Sequence, residues 1–201
     1  MEAFTVVTGP AIPLIRSNID TDVIIRMDRL YCSPVSRLGD FALEAIRIKP
    51  DGTPDPQSPL NAPQFQTAPI LMVGPNFGCG SSREGAVWAL RARGIRCVIG
   101  ESFGDIFFAN CFQNGVLPIR LKHEELQQLV LRANDGSNVT VDLTLCLISS
   151  VKGLEIPFEI NALQRERLLH GLDSIDITLK NTDAIDQWQC NDQLMRPWLW
   201  T

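Results

Sequence analysis

The sequence predicts an α/β domain, and three observations carry that prediction. The apolar run Ile70-Leu71-Met72-Val73 leads through a glycine-rich turn into a helical pattern. Two more short apolar runs follow, each separated from the last by a segment of helical periodicity. A length of 201 residues with 45% hydrophobic content suits one substantial core, so a single domain over residues 1–201 is expected.

Taken in order, Phe4 to Val7 and Ile12 to Ile15 read as short strands. The polar turn Asn18-Ile19-Asp20-Thr21-Asp22 joins them to a third short strand at Val23 to Ile25. Pro50 to Pro69 holds six of the 13 prolines with little apolar periodicity and reads as a long loop, a kind of segment that is often functional or mobile. Strand Ile70 to Val73 then opens onto Gly74 to Gly80, and a helix from Arg83 to Arg93 closes at Gly94. Cys97 to Ile99 is the next strand, Asp105 to Gln113 a helix ended by Asn114-Gly115, and Val116 to Leu121 a strand, which completes a βαβαβ unit. Glu124 to Ala133 is an amphipathic helix. Val139, Val141, Leu143, Leu145 and Leu147 alternate with polar residues as one half-buried strand, and Lys152-Gly153 turns it into a partner strand, Leu154 to Ile160. A last helix runs from Ala162 to His170 before Gly171.

Composition excludes several classes. Eighteen Lys plus Arg against 23 Asp plus Glu leave a formal charge of −5, which repels the phosphate backbone that dominates nucleic-acid affinity. No run approaches the roughly 18 apolar residues of a membrane span, and the start Met-Glu-Ala-Phe-Thr lacks the regions of a signal peptide. A cytoplasmic protein with no nucleic acid or membrane partner is expected. The six cysteines (Cys32, Cys79, Cys97, Cys111, Cys146 and Cys190) are scattered, which points to reduced thiols. With no Cys-x-x-Cys pair and only His123 and His170, each at a predicted helix end, no metal site built by this chain alone is expected. Trp188, Trp198 and Trp200 near the end read as packing groups or a docking surface.

The chemistry concentrates in Asn76-Phe77-Gly78-Cys79-Gly80-Ser81-Ser82-Arg83-Glu84, which sets glycines and two hydroxyls at a helix start. Free amides there can point at an anion, Gly78 and Gly80 permit close approach, and the Arg83 fork matches a carboxylate. The dinucleotide fingerprint lacks its third glycine, and neither a P-loop nor a Gly-x-Ser-x-Gly elbow is present. Ser81 has two readings. With Glu84 it forms a capping-box pattern; alternatively, its hydroxyl is a base or nucleophile whose weak acidity is raised by Arg83 and the helix start. Asp20-Thr21-Asp22 is either an Asx-type turn or part of an active site, and it lacks the ligand spacing of a calcium loop. Arg26, Arg29 and Arg37 are either surface charges or binders of a second carboxylate.

At these residues the chain resembles the 3-isopropylmalate dehydratase small-subunit family, related to the swivelling domain of aconitase. The resemblance covers nearly the full length. Its anchors are residues 18–22, residues 76–84, Ser102-Phe103-Gly104-Asp105-Ile106-Phe107, Asn114-Gly115-Val116-Leu117-Pro118 and Gly171-Leu172-Asp173. One departure stands out: the family usually has His after Arg-Glu, and this chain has Gly85.

The resemblance implies a three-layer β/β/α swivelling domain and a hydro-lyase that isomerises 2- and 3-isopropylmalate through an enoic diacid, in leucine biosynthesis. It implies a large-subunit partner carrying a [4Fe-4S] cluster, with no cofactor bound by this chain, and a small dicarboxylate substrate. Ser81 matches the family's base and Arg83 its carboxylate-binding partner. Ser82, Gly80 and the loop amides would be further substrate contacts. Thr21 and Asp22 match positions at the site edge, and Arg37 falls where the family places a substrate-recognition arginine. Two other readings stay open: the same chemistry on another substituted malate of dimethylmalate, citramalate or homoaconitate type, and a noncatalytic organic-acid-binding module.

Overall fold

The computed structural model describes residues 1–200. Strands β1 (Val6–Gly9) and β2 (Ala11–Leu14) are followed by three short helices, α1 (Thr21–Ile24), α2 (Met27–Cys32) and α3 (Glu44–Arg47). Then come β3 (Ile70–Val73), α4 (Glu84–Ala92), β4 (Cys97–Gly100), α5 (Asp105–Gln113), β5 (Leu117–Arg120) and α6 (His123–Ala133). The chain continues through β6 (Val139–Asp142), β7 (Leu147–Ser150), β8 (Glu155–Pro157), α7 (Ala162–His170), α8 (Ser174–Leu179) and α9 (Thr182–Met195).

Two four-stranded sheets result. One is parallel in the order β2-β3-β4-β5, and the other is antiparallel in the order β1-β6-β7-β8. Every residue of β3 and β4 is buried, as central parallel strands covered on both faces must be. Their side chains alternate. Leu71, Val73 and Val98 face a core shared with Ile24, Ala86, Val87 and Leu90 of the helices and with Ile25 just after α1. Ile70, Met72, Cys97 and Ile99 face a second core shared with Val139, Val141, Ile148 and Ile156 of the antiparallel sheet. The layers are therefore sheet, sheet and helices, as expected for a swivelling domain. Loops 15–20, 74–83 and 101–104 leave the same edge of the parallel sheet, the carboxyl ends of its strands, where open α/β sheets bind ligands. Among the described residues no helix is long and apolar enough to cross a membrane.

Four local expectations change. Val23 to Ile25 is not a strand, because the Asp20 carboxylate accepts the Val23 N–H at 2.8 Å and starts α1 instead. The long alternating strand from Val139 breaks after Asp142. That carboxylate accepts the N–H groups of Thr144 and Leu145, and Cys146 turns the chain with φ +53°, so two strands pair as β6 and β7. The partner strand shortens to β8, and Phe158 beyond it packs into the core. The proline-rich segment 50–69 is pinned rather than free: Leu60, Phe65 and Ala68 are buried, and the Asn61 amide donates to the backbone carbonyls of Arg47 and Asp55 at 2.5 and 2.9 Å. Beyond α7, α8 and α9 form without a buried residue, and Trp188, Trp198 and Trp200 stay exposed.

Candidate active site

The loop before α4 lies alongside the loop before α1 and the start of that helix, joined by a series of hydrogen bonds and one ion pair. The Gly78 N–H donates to the Ile19 carbonyl at 2.7 Å, and the Thr21 N–H to the Cys79 carbonyl at 3.0 Å. The Thr21 hydroxyl then donates to the Ser81 carbonyl at 3.4 Å, and Arg83 is ion-paired with Asp22. Gly78 is required at its place. Its φ is +72°, and a Cβ there would lie 2.2 Å from the Phe107 ring, which packs edge-on against Phe77 at a centroid distance of 5.3 Å. Gly80 has φ +95° and sets the loop turning outward, so Ser81 and Ser82 emerge exposed to solvent.

The capping-box pattern at Ser81 does not form. Arg83, not Ser81, occupies the N-cap position, and its N–H donates to the Ser81 carbonyl at 2.8 Å. The Glu84 carboxylate accepts instead from the Asn114 amide at 2.9 Å. The Ser81 and Ser82 hydroxyls are consequently not spent on closing the helix, and among the described residues their amides donate to no backbone carbonyl. Helix α4 adds partial positive charge behind them. Arg83 is half-buried, its side chain 22% exposed, and Asp22 holds one side of its fork while further N–H groups remain for a ligand carboxylate. The arrangement can bind a carboxylate beside an unbonded serine hydroxyl.

Of the residues expected at the site, Thr21, Asp22, Gly80, Ser81, Ser82 and Arg83 are brought together. Arg37 is not joined to them: it lies on the 3-10 turn Val35–Asp40, exposed and ion-paired with Asp40 at 3.1 Å, with Gly39 of that turn against the Ala92 end of α4. Arg26 pairs with Asp28 and Arg29 with Glu44, each at 2.9 Å, and the Arg29 guanidinium stacks on Phe41. Gly85 is buried, and a Cβ added to it would meet the Leu30 side chain at 2.5 Å, so α2 fills the place that a larger residue would need.

Ser81 and Ser82 are exposed at the surface. A cavity of about 930 Å³ lies away from them, between α5, β5 and the start of α7, lined by Phe108, Arg120, Lys122, Phe158 and Gln164. Among the described residues no group of three or more His, Cys, Asp or Glu is placed to hold a metal ion. Sequence reasoning missed the role of the Ser102 hydroxyl, which accepts the Asn76 N–H, and the paired roles of Asn18 and Asn76. The available signal was that each asparagine lies in a site loop, and asparagine is among the few non-glycine residues that tolerate a left-handed backbone.

Known proteins resemble this chain over most of its length. The family model of the aconitase C-terminal domain matches residues 1–124. The 3-isopropylmalate dehydratase small subunit of Sinorhizobium fredii is 48% identical over 200 residues, covering 98% of this chain and 100% of that protein. The same subunit of Paramagnetospirillum magneticum is 46% identical over 201 residues, covering 99% of this chain and 100% of that protein. Among solved structures, 3-isopropylmalate dehydratase (leuD) from Methanocaldococcus jannaschii superposes with a TM-score of 0.67 at 29% identity, covering 92% of this chain and 99% of that chain.

Proposed function

The chain belongs to the aconitase C-terminal domain family and, within it, to the 3-isopropylmalate dehydratase small subunits, and we propose that its Ser81 face is half of that hydro-lyase's active site. The other half comes from a large subunit. Residues 1–201 are read as one swivelling domain, a reading supported by the single residue Pro10 between β1 and β2 and by the core that both sheets share. The pair works in the cytoplasm, in leucine biosynthesis, on a small substituted malate.

The observation that carries the reading is the pairing of an exposed Ser81 hydroxyl, unbonded among the described residues, with an Arg83 fork already oriented by Asp22. In the proposed reaction Arg83 binds one carboxylate of isopropylmalate, and the Ser82 hydroxyl and the loop amides complete its hydrogen bonds. Ser81, as the alkoxide, removes the proton from the carbon next to the one that bears the hydroxyl. That anion is stabilised by the Arg83 charge and the start of α4. A [4Fe-4S] cluster on the large subunit would supply a Lewis acid for the departing hydroxyl, and the exposure of Ser81 and Ser82 leaves both accessible to a partner. Loss of the proton and the hydroxyl leaves 2-isopropylmaleate. Readdition of water with the hydroxyl and proton exchanged between the two carbons gives the isomer. Thr21 and Gly80 fix the loop that presents Ser81, and Arg37 is assigned to substrate recognition in the assembled enzyme.

The test is anaerobic assembly of this chain with a large subunit, reconstitution of the cluster, and an isomerase assay on 2- and 3-isopropylmalate beside other substituted malates. Ser81→Ala is expected to cut turnover by about 10²- to 10⁴-fold while the pair still assembles. Turnover close to wild type in that variant would remove Ser81 as the base, and turnover by this chain alone would overturn the divided site. Preference for another malate would redirect the substrate assignment and leave the chemistry standing.

A further inference from the structure

We infer that Asn76, clamped to Asn18, is a positioning residue that sets the register of the serine loop, an inference that rests on the active-site reading above. Asn18 and Asn76 both hold left-handed backbones, with φ of +57° and +59°, although neither is glycine. Such a conformation strains an L-residue, and asparagine bears it because its short amide can bond locally. Here the bond spans two loops. The Asn76 side-chain N–H₂ donates to the Asn18 side-chain oxygen at 2.8 Å, across 58 residues of sequence. The Asn18 N–H donates to the Pro75 carbonyl at 3.0 Å beside it.

Asn76 is also tied on its other flank. Its N–H donates to the Ser102 hydroxyl at 2.8 Å, and next to it the Phe77 N–H donates to the Ser102 carbonyl at 3.2 Å. Phe77 then accepts from the Gly104 N–H at 2.9 Å and bridges Phe103 in parallel, as Asp20 bridges Cys79. The pairing of β2, β3 and β4 is thereby continued beyond the strand ends by three loops, with Asn76 bonded to both neighbours. Everything C-terminal to that point on the middle loop, through Gly80 and Ser81 to Arg83, takes its offset against Thr21 and Asp22 from this start. A slip there moves Ser81 and Arg83 together relative to a substrate whose other contacts belong to the partner. A misplacement of about 1 Å is enough to cost one to two orders of magnitude in rate.

The test uses the full chain assembled with its large subunit, and amide hydrogen exchange on the full chain alone. Asn76→Gly and Asn18→Gly keep the left-handed backbone and remove the side-chain bond. Each is expected to lower kcat about tenfold, with the melting temperature nearly unchanged, and to speed exchange across residues 18–22 and 75–83 together. The double glycine variant should be no slower than either single one, because the two substitutions remove the same bond. Asn18→Asp keeps an acceptor for the Asn76 amide and is expected to retain kcat. Asn18→Asp with Asn76→Asp faces two carboxylates and should lose it. Unchanged kcat in the glycine variants, or losses that multiply in the double variant, would overturn the clamp. If the wild-type pair turns over no malate, the active-site reading falls. In that case, coupled loosening of the two loops in Asn76→Gly would still support the clamp, and unaltered exchange would end it.

Discussion

Gly85 shows how a single missing side chain is tied to a neighbour. It is buried in α4 two residues after Arg83, and the end of the Leu30 side chain occupies the direction its Cβ would take, at 2.5 Å. Gly85→His in this chain must push Leu30 and α2 aside. Overpacking of that kind costs about 1–3 kcal/mol, and denaturant melts of the free chain should show it. Leu30→Ala in the same background should recover most of the loss, and a Gly85→His variant as stable as wild type would show that α2 yields freely. The motif around Ser81 was legible residue by residue: glycines, hydroxyls and Arg83 stood in the spacing of an anion-binding helix start. The reading of Ser81 as a cap was equally local and failed for a reason local pattern does not contain. Glu84, needed to close the box, is held by Asn114, 30 residues away, so the helix begins at Glu84 with Arg83 at its cap.

The elements divide by whether their periodicity was self-contained. The strands and helices between Ile70 and Ala133 lie within a residue or two of their expected limits, because every apolar run there except β5 is closed by its own glycine or asparagine. The apolar run of three after Asp22 was too short to separate strand from helix, and the Asp20 cap decided it. At α6 the start carries a testable charge pair. His123, its first residue, bonds the carboxylate of Glu101, the residue after β4, at 3.0 Å and Gln127 at 2.7 Å. The hydrogen bond to Glu101, and then the charge of Glu101, raise the imidazole pKa above its usual value. A group whose pKa is raised on folding contributes stability that is complete below its unfolded value, about 6.5, and lost as pH climbs through the folded value. The denaturation midpoints of wild type and His123→Gln should therefore differ more at pH 5.5 than at pH 8.5. A gap that stays constant across that range would show that the pair does not titrate with folding.

At the scale of the whole molecule, both cores rest on the parallel sheet, and the C-terminal segment contributes to neither. Leu71 and Val73 on one side, and Ile70 and Met72 on the other, bind the helices and the antiparallel sheet to the same strand. The segment after Gly171 went unread as helix because its apolar residues make no stripe against a core: Ile175, Leu179, Trp188, Leu194 and Met195 are all exposed. Helix α8 is fastened to α7 by the Lys180–Glu166 ion pair at 2.5 Å. Helix α9 instead bonds within its own segment, where the Trp200 indole donates to Asp192 at 2.8 Å. A helix of 14 residues held that way is marginal in water, so its amides should exchange far faster than those of β3 and β4. Ending the chain after Asn181 should therefore remove helical circular dichroism while moving the melting temperature by no more than about 4 °C, the shift that 1 kcal/mol produces in a chain of this size. A fall well beyond that would mean that α9 supports the two cores by more than its contacts in the folded chain account for, and the division between core and C-terminal segment would have to be redrawn.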